Sequence, residues 1–248
     1  MKIAAVAALA YVAICAVLAL FQRSFIYLPQ PRSNRNAATL RLSVPDATLE
    51  ITARLRQREN AVLYFGGNAE DVSWSVEDLE AAYPDSDLYL MHYRGYGESS
   101  GRPSERALFA DSLALFDLVR EKHASIVVVG RSLGSGVAAF LASRRPASRL
   151  VLVTPFDSVL ALAARSFWFV PVGWLLRDKF ESTNYAPDIS APTTIIAAEH
   201  DATIPRRHTE ALLRRFQPGV AVLKIVARAD HNTIADSPEY LRFLRNQP

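Results

Sequence analysis

The chain has a single cysteine, Cys15, in 248 residues. No disulfide can form within it, so cysteine usage does not reveal the compartment. Cysteine clusters are missing and the five histidines are scattered, which argues against a structural zinc site. Strong charge of one sign is also missing. Lys and Arg number 28 against 25 Asp and Glu, for a net charge of +3. With no dense basic run or RNA-binding signature, a nucleic-acid partner is not expected. No repeat or low-complexity segment is present. Glycine is scarce at 10 residues, and most of it sits in three short stretches: 66 and 67; 95, 97 and 101; 130, 134 and 136. Such clustering marks places where backbone must turn tightly or come close to something else.

A long apolar run is present. "IAAVAALAYVAICAVLALF", residues 3–21, carries no charge, and Lys2 and Arg23 bracket it. At 1.5 Å per residue it spans roughly 28 Å, about the hydrocarbon thickness of a bilayer. A cleaved signal peptide is the rival reading. Its apolar core would be shorter and would end in a small-x-small site, whereas this run ends in Leu20-Phe21-Gln22. The expectation is a retained transmembrane anchor over residues 1–22, then a Pro-containing polar linker over 23–36, then one globular domain over 37–248. The implied location is single-pass, in a bacterial inner membrane. Arg23, Arg32, Arg35 and Arg41 lean towards a cytoplasmic body, but a large following domain can cross regardless.

Half of the residues are hydrophobic, enough for a sizeable core in one domain. Apolar strand-like runs alternate with helical patterns: 49–55, 61–65, 87–93, 125–129, 149–153, 193–198 and 221–227 for strands, and about 71–83, 104–122, 133–144, 206–216 and 236–245 for helices. Continuously apolar strands separated by helices predict an α/β fold, a mostly parallel twisted sheet with helices on both faces. Ligands then sit beyond the carboxyl ends of the strands.

The run "SIVVV" leads into Gly130-Arg131-Ser132-Leu133-Gly134, which fits G-x-S-x-G, a nucleophile elbow between a strand and a helix. The pattern alone arises by chance in about one chain in twelve of this length; the strand before it and the helix after it strengthen it. A serine hydroxyl needs a base, and the base needs an orienting acid. In this architecture the order is Ser, Asp or Glu, His, each after a later strand. Asp201 follows the strand 193–198, with Glu199 as its competitor. His231 follows the strand 221–227 on a short loop. His92 and His123 belong to earlier strands, His200 abuts Asp201, and His208 falls in a helical pattern as a surface residue. The predicted catalytic set is Ser132, Asp201 and His231. The backbone N–H groups of Leu133 and, on the Gly66-Gly67 turn, Asn68 are the predicted oxyanion donors.

Together these stretches resemble the α/β-hydrolase superfamily, and more narrowly its membrane-anchored, serine aminopeptidase-like branch, which includes protein depalmitoylases. The resemblance lies in "FQRSFIYLPQP", "LYFGGNAEDVS", "YRGYGESSGRPSE", "VVGRSLGSGVA", "AAEHDATIP" and "ADHNTI". It implies an α/β-hydrolase fold with a short helical lid at about 156–186. Tyr93-Arg94-Gly95-Tyr96-Gly97 is implied to pack beside the site, with Arg94 in a structural ion pair. One departure stands out: relatives often have His-Gly-Asn-Ala-Gly where this chain has Gly66-Gly67-Asn68-Ala69-Glu70, so a bracing histidine side chain is missing.

The expected activity is hydrolysis of carboxylic esters or thioesters through an acyl-enzyme. The substrate is a small-molecule or lipid-linked acyl ester, and no metal or organic cofactor is required. A non-catalytic, membrane-anchored scaffold on the same fold and a serine peptidase are the alternatives. Phe167, Trp168 and Trp174 in the lid are candidate substrate-binding residues, as an apolar acyl pocket or a contact with the bilayer surface; packing on the core is the plainer option.

Overall fold

A computed structural model describes residues 2–245; Met1 and residues 246–248, at the outer limits of the predicted domains, lie outside the described residues. The first helix, α1 (Lys2–Ile26), is apolar, exposed and long enough to cross a membrane. Next come the strands β1 (Ala38–Val44), β2 (Ala47–Arg54), β3 (Asn60–Phe65) and β4 (Ser86–Met91), with helix α2 (Val76–Ala82) between the last two. Helix α3 (Glu105–Arg120) leads to β5 (Ser125–Arg131), α4 (Leu133–Arg144) and β6 (Arg149–Val153). Three short helices follow: α5 (Val159–Ser166), α6 (Val172–Leu175) and α7 (Ser182–Tyr185). The chain closes with β7 (Thr193–Ala198), α8 (Arg206–Leu213), β8 (Ala221–Val226) and α9 (Pro238–Leu244).

All eight strands form one sheet in the order β1-β2-β4-β3-β5-β6-β7-β8. β2 pairs antiparallel with β1 and with β4, and every later pairing is parallel. The parallel strands are buried on both faces, which is why they read as unbroken apolar runs. Alternation still sorts them: Leu63 and Phe65 join the core under α3 and α4, while Val62 and Tyr64 join the core under α2 and α9. The chain runs from β3 to β4 on one side and to β5 on the other, so the strand order reverses at β3. Such a reversal opens a crevice at the carboxyl ends of the strands, here of β3 and β5.

Of the expected linker 23–36, residues 23–26 are the last turn of α1, because the helix runs on past the apolar run to Ile26, and residues 27–36 carry no regular structure but are pinned to the domain. Leu28 N–H donates to the Asn68 carbonyl, Gly97 N–H donates to the Gln30 carbonyl, and Ser33 donates to Asp71. Arg32 pairs with buried Glu50 at 2.8 Å. His208, expected at the surface, is buried, with Nδ1 2.9 Å from Asp157 Oδ1. Its face of α8 is the one turned to the sheet, where Thr209 and Leu212 are also buried. Arg94 pairs with buried Asp111 at 2.8 Å.

Candidate active site

Ser132 stands between the end of β5 and the first residue of α4, with φ 50° and ψ −117°. A non-glycine residue in this region costs on the order of 1–3 kcal/mol and persists only where the surroundings impose it. Here they do. Ser132 N–H donates to the Val153 carbonyl at 2.9 Å, and the Ser132 carbonyl accepts from Ser135 N–H at 2.9 Å and Ser135 Oγ at 2.6 Å. The flanking glycines make the turn possible. A Cβ at Gly130 would lie 2.3 Å from the Gly134 carbonyl oxygen, and one at Gly134 would lie 2.0 Å from the Phe65 carbonyl oxygen. The serine side chain is thereby lifted above the carboxyl edge of the sheet.

The loops after β7 and β8 meet it there. His231 Nε2 lies 3.0 Å from Ser132 Oγ, and His231 Nδ1 lies 2.8 Å from Asp201 Oδ2. The other oxygen of Asp201 accepts from Ile204 N–H at 2.6 Å, so the carboxylate is held at both ends. Asp230 Oδ1 accepts from Asn232 and Thr233 N–H, closing the turn that presents His231; these bonds hold the Asp230 carboxyl below its ordinary range. Glu199 points elsewhere and accepts from Arg228 N–H at 2.7 Å. His92 and His123 bond instead to Thr52 and Tyr89.

Ser132 and His231 open into a cavity of about 420 Å³ that Gly67, Asn68, Glu70 and Arg131 also line. The glycine turn is close: a Cβ on Gly67 would sit 3.6 Å from Ser132 Cβ. Its peptides are fixed in a way the sequence did not reveal. Tyr93 donates to the Gly66 carbonyl at 2.8 Å, and Gly67 N–H donates to Glu70 Oε2 at 2.8 Å. Tyr96 donates to the Asn68 carbonyl at 2.6 Å. The peptide carrying Asn68 N–H is thus clamped on both sides. Leu133 heads α4, where an N–H has no intrahelical acceptor. Burial, reinforced by Glu70, raises the pKa of Tyr93, and burial raises that of Tyr96, so both hydroxyls remain donors.

Glu70 braces this loop. Its Oε1 accepts from Tyr64 at 2.6 Å and Ser75 at 2.9 Å, and its Oε2 pairs with Arg131 at 3.1 Å. Arg131 also reaches the His231 carbonyl at 3.3 Å. One carboxylate and one guanidinium therefore tie together the loops that carry Asn68, Ser132 and His231. The only sequence signal was the acid itself, in the turn after β3.

Phe167, Trp168 and Trp174 are not brought to this cavity. Trp168 and Trp174 are 82% and 94% exposed, and Phe167 lines a separate apolar cleft of about 90 Å³ between α1 and the α5–α6 segment. The physical cause is that the lid is drawn to α1: Gln22 donates to the Leu175 carbonyl and accepts from Arg177 N–H, and Arg23 pairs with buried Asp178 at 2.8 Å. No titratable residue lines that cleft. Among the described residues no cluster of His, Cys, Asp and Glu is suited to a metal ion.

An uncharacterized protein of Mycobacterium tuberculosis is 36% identical over 158 residues, which are 62% of this chain and 56% of that one. The alpha/beta hydrolase domain-containing protein aho-3 of Caenorhabditis elegans is 28% identical over 221 residues, 87% of this chain and 62% of that one. The chain therefore spans 56–62% of the length of these relatives. The crystal structure of a Pyrococcus furiosus esterase superposes with a TM-score of 0.69 at 17% identity, covering 89% of this chain and 96% of that one; this likeness concerns the fold. A family profile for the alpha/beta hydrolase fold matches residues 60–185, half of the chain. With the strand order and the turn at Ser132, that match settles the family: the chain belongs to the alpha/beta hydrolase fold family.

Proposed function

We propose that this protein is a membrane-anchored serine hydrolase that cleaves carboxylic ester or thioester bonds. One observation carries the reading: a single imidazole lies 3.0 Å from a serine hydroxyl through Nε2 and 2.8 Å from a carboxylate through Nδ1. His231 takes the Ser132 proton as Oγ attacks the acyl carbonyl. Asp201 fixes the tautomer and stabilises the imidazolium. The tetrahedral oxyanion is held by the N–H groups of Leu133 and Asn68, each such donor contributing about 10² to 10³ in rate. Collapse expels the alcohol or thiol, which takes the proton back from His231 and leaves an acyl-Ser132. A water, deprotonated by His231, then attacks that ester; the acid departs and Ser132 Oγ recovers its proton. Residues 2–22 serve as the anchor, since their exposed, uncharged run 3–21 is long enough to be stable in hydrocarbon rather than in water.

A fluorophosphonate probe is expected to label the full chain at one residue, Ser132, located by peptide mass spectrometry. A p-nitrophenyl ester series is expected to turn over, and an aminoacyl p-nitroanilide to turn over far more slowly. No labelling would favour a scaffold, and faster anilide cleavage would favour a peptidase.

Glu70 is a positioning residue in this scheme. Both of its oxygens face donors, so Glu70→Gln turns an amide NH2 towards two of them. Ester kcat/KM is expected to fall by up to about 10²-fold, the effect of small misplacement of reacting groups, mostly through kcat. The rate of fluorophosphonate labelling should slow in parallel. A lowered melting temperature with unchanged kcat would make Glu70 merely structural.

A further inference from the structure

We infer that the α5–α6 segment of the lid is itself inserted into the membrane, alongside the half of α1 nearest the domain. The inference rests on the reading of α1 as a spanning helix. Residues 159–176, "VLALAARSFWFVPVGWLL", contain one charge, Arg165. The segment ends at Arg177-Asp178-Lys179, and α1 ends its apolar run at Arg23, which pairs with Asp178. Both apolar stretches thus stop at one charged level, which marks the membrane surface.

Above that level the two run side by side. Gln22 bonds to the Leu175 carbonyl, and Tyr11 donates to the Phe169 carbonyl at 3.0 Å. Eleven residues separate Tyr11 from Gln22, about 16 Å along a helix and roughly half of the hydrocarbon thickness. A lid tip that touches Tyr11 therefore reaches towards the midplane if α1 crosses the bilayer. In α1, Cys15, Leu18, Ala19, Gln22 and Ile26 are the most covered residues, one helical stripe facing the lid. The outer side of the lid is largely uncovered: Trp168 and Trp174 stand exposed and Phe169 is 45% exposed.

Backbone polarity, the usual obstacle to insertion of a non-helical segment, is met in part within the segment, the Trp168 and Phe169 N–H groups at its tip being left without an acceptor among the described residues. Phe167, Val170 and Val172 N–H groups donate to the Ala163, Phe167 and Val170 carbonyls, and Tyr11 satisfies both its own hydroxyl and the Phe169 carbonyl. Trp174, beside the charged level, suits the interface, where tryptophan is enriched. Arg165 is exposed, and its long stem allows the guanidinium to reach back towards head groups. The occupant of the uncovered face is accordingly lipid hydrocarbon of the leaflet on the domain's side.

The test uses full-length single-tryptophan variants in phosphatidylcholine vesicles, with lipids brominated at mid-chain or near the head group. Trp→Phe replacements leave Trp74, Trp168 or Trp174 alone, and a chain lacking all three with Val12→Trp reports on α1. Thermal unfolding checks that each variant is folded. Trp168 is expected to lose most of its fluorescence to mid-chain bromine, as strongly as Val12→Trp. Trp174 should respond more to bromine near the head group, and Trp74 to neither. Quenching of Val12→Trp with Trp168 unaffected would overturn the insertion and leave the anchor standing. If neither is quenched, the anchor reading fails and the insertion falls with it.

Discussion

Ser132→Ala is expected to lower ester kcat by about 10⁶, with His231→Ala similar and Asp201→Asn nearer 10⁴, the scale seen when members of such a unit are removed singly. KM should change little, because the Ser132 hydroxyl bonds to His231 and acts in bond making. The sharper expectation concerns the double variant. If Oγ and Nε2 act on one proton, Ser132→Ala/His231→Ala loses no more than either single change. Independent losses that multiply would mean that the two groups do not form one proton-transfer unit. Rate surviving in both singles is expected to come from the N–H groups of Leu133 and Asn68 and from substrate binding, which these changes leave in place. Stability should be nearly untouched. The backbone bonds that hold the elbow, from Ser132 N–H to the Val153 carbonyl and from Ser135 to the Ser132 carbonyl, do not involve the hydroxyl.

The parallel half of the sheet was legible because burial on both faces writes itself as apolar runs; 149–153 and 193–198 coincide with β6 and β7. β1 was not legible. It pairs only with β2 at the sheet edge and is mostly exposed, so neither face demands a periodic pattern. In the site, glycine spacing pointed to Ser132, and strand order pointed to the loops of Asp201 and His231. Chain order carries that information because each loop follows a strand of fixed rank. The Glu70–Arg131 pair spans 61 positions and depends on a side-chain geometry that no local pattern records. The same holds for residues 27–36, whose polar and proline-rich composition suits a tether as well as a docked strap. His208 fails for a related reason: helical periodicity gives a face, but the packing of α8 decides which face is inside. The lid aromatics show the limit of composition alone, since Trp168 and Trp174 suit an acyl pocket and a lipid-facing surface equally until Gln22, Arg23 and Tyr11 fix where the segment lies.

Gly134→Ala is expected to destabilise the fold by at least about 3 kcal/mol, the upper range for forcing atoms into a packed site. The added Cβ would stand 2.0 Å from the Phe65 carbonyl oxygen, 2.5 Å from its carbon and 2.6 Å from the Gly66 oxygen. These are backbone atoms of β3 and its turn, so no side chain can swing aside; α4 and β3 must part. At about 2–4 °C per kcal/mol for a chain of this size, the melting temperature should fall by roughly 6–12 °C. Gly173→Ala is the control, because nothing lies within 4 Å of its new Cβ, and alanine is otherwise preferred in a helix by about 0.5–1 kcal/mol. It should be neutral or slightly stabilising. The comparison bears on chemistry as well as on packing. The contact that forbids a side chain at Gly134 also sets the head of α4, where Leu133 stands, against β3 and its glycine turn, so the two proposed oxyanion donors would be brought together by the absence of one methyl group. A folded Gly134→Ala protein with separated elements should therefore lose ester kcat while keeping the His231–Asp201 bond. Unchanged stability and unchanged kcat would mean that α4 and β3 do not approach this closely, and the placement of Leu133 beside Asn68 would fail with it.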